Sequence, residues 1–349
     1  MKRKNLSAKK IIHNFYLDKL KNPKIKKIYL KFKKNIKKNK FNKVCVAISG
    51  GPDSLALAFL SKCYSIKENT EIYFCTVDHK LRPESSIEAK KTRDILKKFG
   101  IKCEILKLIK NSINSNIQSK AREGRYNLIF SECSKRKINF VVTAHHKNDL
   151  YENFFIRLLR GSGLKGLSSF SKIKNNIKKN SSIYILRPLL NVTKNELFYI
   201  IKNTFKFHIK DASNKNEIFL RIRLRNLINQ FAKEGLNLEK LKRTIDNLHS
   251  SNQTIEFYIK QNLSKNSKYF LEKKTSIIKD NFFKQPDEIV FRSLNELIVK
   301  IGNKPNFTRG NKLKDLIARL KSSKNKLKFT LSGCIIEKIN KSVIIYPEN

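Results

Sequence analysis

Residues 44–48 form a run of five apolar side chains, Val-Cys-Val-Ala-Ile, followed at once by Ser49-Gly50-Gly51-Pro52-Asp53-Ser54. A run that short and that rich in β-branched residues suits a parallel strand buried on both faces. The two glycines permit a tight turn whose backbone N–H groups converge on an anion. Asp53 and Ser54 stand where a helix begins, ahead of Leu55-Ala56-Leu57-Ala58-Phe59-Leu60. A strand, a glycine turn and a helix N-terminus together make a phosphate site, because orphan N–H groups and the helix dipole both favour negative charge. An ordinary strand-to-helix turn does not need this block of residues. The Lys-Ser/Thr pair of a Walker A loop is missing, and so is G-x-G-x-x-G.

The block resembles the PP-loop of the N-type ATP pyrophosphatases, which split ATP into AMP and pyrophosphate. That resemblance implies ATP as co-substrate, held by Ser49, Gly50, Gly51, Pro52, Asp53 and Ser54, with Asp53 near a Mg²⁺ ion. It leaves the second substrate open.

From 43 to about 210 the hydrophobic pattern alternates. Strands are predicted at 43–49, 71–77, 102–108, 139–144 and 183–187, and helices at 53–66, 84–99, 115–137, 146–160 and 193–203. This order predicts an α/β fold, a doubly wound parallel sheet covered on both faces. The Lys/Asn/Ser-rich stretch 171–182 reads as a surface loop. Beyond it, helices are predicted at 217–265, 288–301 and 311–323, then a β-hairpin over 328–346 turning near Asn340-Lys341. The expected division is a basic N-terminal extension (1–40), a catalytic domain (41–225) and a smaller helical and β-hairpin C-terminal domain (226–349). The extension holds 16 basic residues against the single acidic Asp18, and reads as one or two loosely docked helices broken near Asn22-Pro23.

Ligands of a doubly wound sheet bind at the carboxyl ends of its strands. The second strand ends in Asp78-His79, ahead of Lys80-Leu81-Arg82-Pro83-Glu84-Ser85, which places both residues at a nucleotide. Arg122 and Arg125 lie three apart on one helix face and suit a phosphate or a developing negative charge; alone, they could equally be a solvated pair. The fourth strand runs into His145-His146-Lys147-Asn148-Asp149-Leu150-Tyr151-Glu152-Asn153. On a helix, His146, Asp149, Glu152, Asn153, Arg157 and Arg160 fall within about 140° of arc. One face thus gathers carboxylates to hold a cation and groups able to accept a proton. A surface salt-bridge ladder would produce the same pattern, but its place at a strand end favours function. A glycine-rich segment, Arg160-Gly161-Ser162-Gly163, follows.

The net charge of +48 favours a polyanionic partner. Abundant Asn and Ile, no Trp and one Met show that genomic bias inflates Lys, so the charge counts for about half its face value. No stretch approaches the roughly 18 apolar residues of a membrane span, and no signal peptide is evident. The six cysteines are scattered without a C-x-x-C pair, as in buried thiols of a reducing cytoplasm.

Seven motifs occur in order: SGGPDSLAL, VDHKLRPES, AREGRY, TAHHKNDLYEN, RLLRGSGLKGL, RPLL (187–190) and DASN (211–214). Together they resemble the tRNA(Ile)-lysidine synthetase family over about 41–230. The resemblance implies that the wobble cytidine of an isoleucine tRNA with a CAU anticodon is adenylated at its C2 oxygen, and that the ε-amine of L-lysine then displaces AMP. It implies catalytic roles for Asp53, Asp149, Glu152, His146 and Arg122, ATP contacts from Asp78 and His79, and lysine or tRNA contacts from Arg122, Asp149, Glu152, Arg160, Gly161, Arg221 and Arg225. The chain departs from the pattern at Asn148 and Leu150, where many members have Asp and Gln, and at Ile222, where an Asn is usual. Which carboxylate serves as base is open, as is oligomeric state, a homodimer included. The rival readings are a PP-loop tRNA thiolase, against which the lack of paired cysteines argues, and a catalytically inactive RNA-binding protein on the same fold.

Overall fold

The structure is a computed structural model that describes residues 2–37, 41–80, 84–108, 117–170, 173–178, 181–209, 220–302, 310–323 and 326–348. The DASN motif and residues 81–83 of the second motif lie outside the described residues. Two compact units, 1–245 and 246–349, make up the chain.

The first unit is built on strands β1 (Lys43–Ile48), β2 (Glu71–Asp78), β3 (Cys103–Lys107), β4 (Phe140–Val142), β5 (Ile173–Lys178) and β6 (Ser181–Leu186). They lie in the order β3-β2-β1-β4-β6-β5. The pairs β1–β2, β2–β3, β1–β4 and β4–β6 are parallel, as the alternating sequence predicts. The edge pair β5–β6 is antiparallel, which corrects the loop expected at 171–182. Its Lys and Asn residues mark a polar edge strand, a place where charge is favoured because it discourages further pairing. Helix α3 (Pro52–Glu68) follows β1, α4 (Glu84–Lys98) follows β2, α5 (Ile117–Lys135) follows β3, and α6 (Lys147–Leu158) follows β4. A one-turn helix α7 (Leu164–Leu167), then α8 (Lys194–Asn203) and α9 (Leu220–Lys233), follow. Strand order reverses between β1 and β4, and the crevice of a doubly wound sheet lies at such a switch point.

The N-terminal helices α1 (Lys2–Lys19) and α2 (Pro23–Ile36) are not loosely docked. Tyr16, Ile25, Phe32 and Ile36 are wholly buried in the core around β1 and α3. On α2 the buried positions 25, 28, 29, 32 and 36 follow a helical stripe, with lysines on the opposite face. Tyr16 Oη donates to the Phe99 carbonyl at 2.9 Å, and Asn35 Nδ2 to the Pro188 carbonyl at 2.7 Å.

The second unit carries a five-stranded antiparallel sheet in the order β7-β8-β11-β10-β9, made of β7 (Ser267–Phe270), β8 (Thr275–Lys279), β9 (Leu327–Leu331), β10 (Cys334–Ile339) and β11 (Ser342–Pro347). The expected hairpin is therefore a three-strand meander extended by a second hairpin. One turn is at Asn340-Lys341 and another at Ser332-Gly333, where both residues adopt positive φ. Its core packs against α11 (Asp287–Gly302) and α12 (Gly310–Ser322). The long helix α10 (Leu238–Asn266) runs from the first unit into the second.

Candidate active site

The PP-loop is held by its own serines. Ser49 N–H donates to Ser54 Oγ at 3.1 Å, and Ser54 Oγ donates to the Gly51 carbonyl at 2.9 Å. Gly50 has φ +83°, and a Cβ there would stand 2.4 Å from Thr92 Oγ1. Glycine is required at that position by conformation and by space. Gly51 caps α3 without a side-chain hydrogen bond, and Pro52 occupies the first turn. The N–H groups opening α3 are thus left for an anion.

Across the switch point, β4 leads to His146, which caps α6. His146 Nδ1 accepts from Asn148 N–H at 3.2 Å, and Asp149 Oδ2 accepts from His146 N–H at 2.9 Å. With Nδ1 an acceptor, the ring proton sits on Nε2, which lies 3.4 Å from Asp53 Oδ2 and 3.6 Å from Asp149 Oδ2. Burial lowers the His146 pKa, but Asp53, Asp149 and Glu152 outweigh it and raise the value above the ordinary range. Asp53 Oδ1 is buried and has no hydrogen-bond partner.

Glu152, one turn further along α6, is 2% exposed and is gripped by Arg225 of α9. Arg225 Nε lies 2.5 Å from Oε1 and Nη2 lies 3.4 Å from Oε2. Burial opposes charge on Arg225, but Glu152, Asp149 and Asp53 hold its pKa up.

The cleft is also lined by basic residues. A cavity of about 260 Å³ is lined by the PP-loop, the end of β2, α4, α5 and the β4–α6 junction, with Arg122 and Arg125 among its residues. Arg125 Nε is buried without a partner, and burial lowers the guanidinium pKa. Arg187 is 5% exposed and stacks its guanidinium 4.7 Å from the Phe170 ring centre. His145 bonds Thr143 Oγ1 at 2.8 Å. Burial, then the positive charges of Arg187, Arg122 and Arg221, keep His145 well below its ordinary pKa. The cleft therefore brings an anion cradle, carboxylates and guanidiniums together in one cavity.

The family model for the PP-loop domain matches residues 24–232. The chain is 35% identical over 319 residues to the tRNA(Ile)-lysidine synthase of Orientia tsutsugamushi, an alignment that covers 88% of this chain and 70% of that protein. It is 32% identical to the Rickettsia typhi enzyme of the same name, covering 92% of this chain and 74% of that protein. The chain belongs to the tRNA(Ile)-lysidine synthase family. Among solved structures, the U34-tRNA thiolase NcsA of Methanococcus maripaludis, described with its [4Fe-4S] cluster, superposes with a TM-score of 0.55 at 15% identity, covering 65% of this chain and 79% of that one. That likeness is one of fold. The six cysteines here are all free and buried.

Within this lysidine synthase fold the candidate residues fall into three groups. Ser49, Gly51, Asp53, Ser54, His79, Arg122 and Asp149 line the cavity. Gly50, Pro52, His146, Glu152 and Arg225 are outside that lining: Gly50 and Pro52 neighbour it in the chain, His146 Nε2 lies 3.4 Å from Asp53 Oδ2, and Glu152 pairs with Arg225. Asp78 is outside it too: it is 3% exposed and accepts from Ser85 Oγ at 2.8 Å, from Ser86 Oγ, and from Lys80 N–H at 3.1 Å. Burial would raise its pKa, but these donors hold it below the usual carboxylate range. Its bonds fix the wall that carries His79 and α4. Arg160 and Gly161 lie at the far end of α6, about 20 Å from His146 by helical rise, and Arg221 is exposed on the first turn of α9. Gly161, with φ +62°, closes the helix as its C-terminal turn residue.

Sequence reasoning pairs Arg125 with Arg122 as suited to a phosphate, but it passes over His145, Arg187, Ser85 and Ser86 as site residues. His145 adjoins the candidate His146, and Ser85 and Ser86 follow Asp78 within eight positions. Arg187 figures in the sequence only as the first residue of RPLL; it follows β6 and acts on the cleft through its charge on His145. Asn148, where the family pattern differs, accepts from Lys194 N–H at 3.3 Å and so ties α6 to α8.

Proposed function

We propose that this chain uses ATP to join L-lysine to C2 of the wobble cytidine of a CAU-anticodon isoleucine tRNA, releasing AMP and pyrophosphate. The observation that carries this reading is the gathering of an anion cradle, carboxylates and guanidiniums in one cleft. Each of the three suits one reactant. The PP-loop and the α3 N-terminus receive the triphosphate. Arg122 and Arg125 face the charge that develops when the cytidine C2 oxygen attacks the α-phosphorus and the bond to pyrophosphate breaks. Asp53 and Asp149 hold the lysine ammonium.

The amine must lose a proton before it attacks. With an ordinary pKa near 10.4, roughly one lysine in 10³ is neutral at pH 7. A carboxylate in the cleft takes that proton as the new C–N bond forms and AMP leaves with the C2 oxygen. Glu152 has both oxygens on Arg225 and Asp53 is the carboxylate suited to Mg²⁺, so Asp149 is the better acceptor, and Glu152 positions the helix that carries it.

Mg²⁺ fits this site. Asp53 Oδ1 is buried and lacks a partner, and a carboxylate in the first turn of a phosphate-binding helix would repel phosphates without a cation between them. One carboxylate plus substrate phosphates is an ordinary Mg²⁺ ligand set. Bound there, Mg²⁺ would neutralise the departing pyrophosphate.

The test is incubation with ATP, radiolabelled lysine and transcripts of isoleucine and methionine tRNAs bearing CAU anticodons, followed by nucleoside analysis. Label in a lysine–cytidine nucleoside from the isoleucine tRNA alone supports the reading. AMP formation with no labelled nucleoside overturns it.

A further inference from the structure

Helices α6 and α9 leave the active site side by side. Glu152 is paired with Arg225, and further along both helices the rings of Phe155 and Phe231 stack, 6.0 Å between centroids at 27°. Beyond that stack the apolar surface continues into solvent instead of into a core. Phe231 is 47% exposed, Leu227 42% and Leu159 66%. Apolar faces this open on a soluble unit mark a contact. Its chemistry is not that of a contact between like chains. The surface is flanked by exposed Arg160 and Lys233, α9 carries no acidic residue in its 14, and the whole chain bears +48. Two copies meeting here would bring like charge onto like charge.

We propose that this face is a stacking shelf for unpaired RNA nucleotides flanking the base held in the cleft. Unpaired RNA is recognised by aromatic platforms edged with cations: rings stack on bases and the cations meet phosphates. Position supports the same occupant. Phe231 stands six residues beyond Arg225 on α9, about 9 Å by helical rise, within reach of a nucleotide next to one bound at the carboxylates. The inference rests on the proposed function for the identity of that RNA, here the anticodon loop.

The experiment measures binding of a CAU anticodon stem-loop RNA to the full-length protein without ATP, for wild type, Phe231→Ala, Phe231→Trp and Arg160→Ala/Lys233→Ala. Phe231→Ala is expected to weaken binding roughly five- to hundredfold, Phe231→Trp to retain it. The Phe231→Ala salt slope is expected to match wild type, whereas the double variant lowers the slope by about one to two. A fully base-paired hairpin should not discriminate Phe231→Ala from wild type. Unchanged stem-loop affinity in Phe231→Ala overturns the proposal. So does a wild-type dimer that Phe231→Ala converts to monomer with RNA affinity intact, since the face would then be a contact between copies. The functional reading fails separately: a protein that binds the stem-loop through Phe231 yet makes no lysine–cytidine nucleoside keeps the shelf and loses the reaction.

Discussion

Arg225 Nε lies 2.5 Å from Glu152 Oε1, joining residues 73 apart in the chain and fastening α9 to α6 beside the active site. The two partners are unequally buried. The Glu152 side chain is 2% exposed and the Arg225 side chain 34%. Removing the arginine strands a buried carboxylate, whereas neutralising the carboxylate leaves a guanidinium that can turn to water.

Arg225→Ala is therefore expected to destabilise the protein by roughly 3 kcal/mol and Glu152→Gln by only about 1 kcal/mol. With no Trp in the chain, denaturation is best followed by far-UV circular dichroism. Equal losses, or a larger loss in Glu152→Gln, would show that the pair does not hold α9 in place.

Asp53→Asn should preserve the fold and lower AMP formation on the order of a hundredfold or more, because the carboxylate with the unpartnered oxygen is the one suited to the cation. The ATP dependence on Mg²⁺ concentration should shift upward in the same variant. Near-wild-type pyrophosphate release would move the metal site elsewhere.

The loss of Asp78 should act through the wall it braces. Asp78→Ala removes the acceptor of two hydroxyls and one N–H, so it is expected to cost about 1–3 kcal/mol in stability and to raise the KM for ATP more than it lowers kcat. A pure kcat effect would instead place the carboxylate at the reacting atoms.

That bracing role shows where the sequence was legible and where it was not. Features written in one contiguous stretch were readable: the PP-loop, the shared helix face of His146 and Asp149, and the parallel pairing of β1 to β4. Asp78 was placed correctly at a strand end, but its job depended on two serines seven and eight residues on. The Glu152–Arg225 pair was unreadable, because a carboxylate on the cation-binding face looks the same whether its partner is a substrate or a distant arginine. In the second unit, β7 and β8 are four and five residues long, too short for alternation to separate them from the end of the preceding helix. The buried stripe 25, 28, 29, 32, 36 went unread, because the lysines around it made α2 look like a loosely docked surface helix.

Acid stability should carry the mark of His145. Its folded-state pKa is depressed by burial and by Arg187, Arg122 and Arg221, so below about pH 6.5 the unfolded chain takes up a proton that the folded one does not. Stability is then lost as pH falls below 6.5, with this residue contributing a slope of up to about 1.4 kcal/mol per pH unit. His145→Gln should flatten the profile between pH 6.5 and 5. An identical slope in the variant would mean that His145 protonates freely in the folded state.

Two N-terminal truncations separate packing from charge. Removing residues 1–38 deletes Tyr16, Leu20, Ile25, Ile28, Tyr29, Phe32 and Ile36, each at most 5% exposed. At about 2–5 kcal/mol for each large buried side chain, that loss exceeds the roughly 5–15 kcal/mol that keeps a domain folded. This truncation is expected to give unfolded protein. Removing residues 1–9 spares all seven and takes away only Lys2, Arg3, Lys4 and Lys9 as charges. Lysine-rich segments contact phosphates without reading bases. The short truncation should therefore weaken cognate and non-cognate tRNA alike and lower the slope of log K against log salt by up to about 3. Its ATP affinity should stay that of the full chain, since the PP-loop begins at Ser49. A folded short truncation with an unchanged salt slope would assign these charges to compositional bias. Selective loss of the isoleucine tRNA would mean that the segment reads identity.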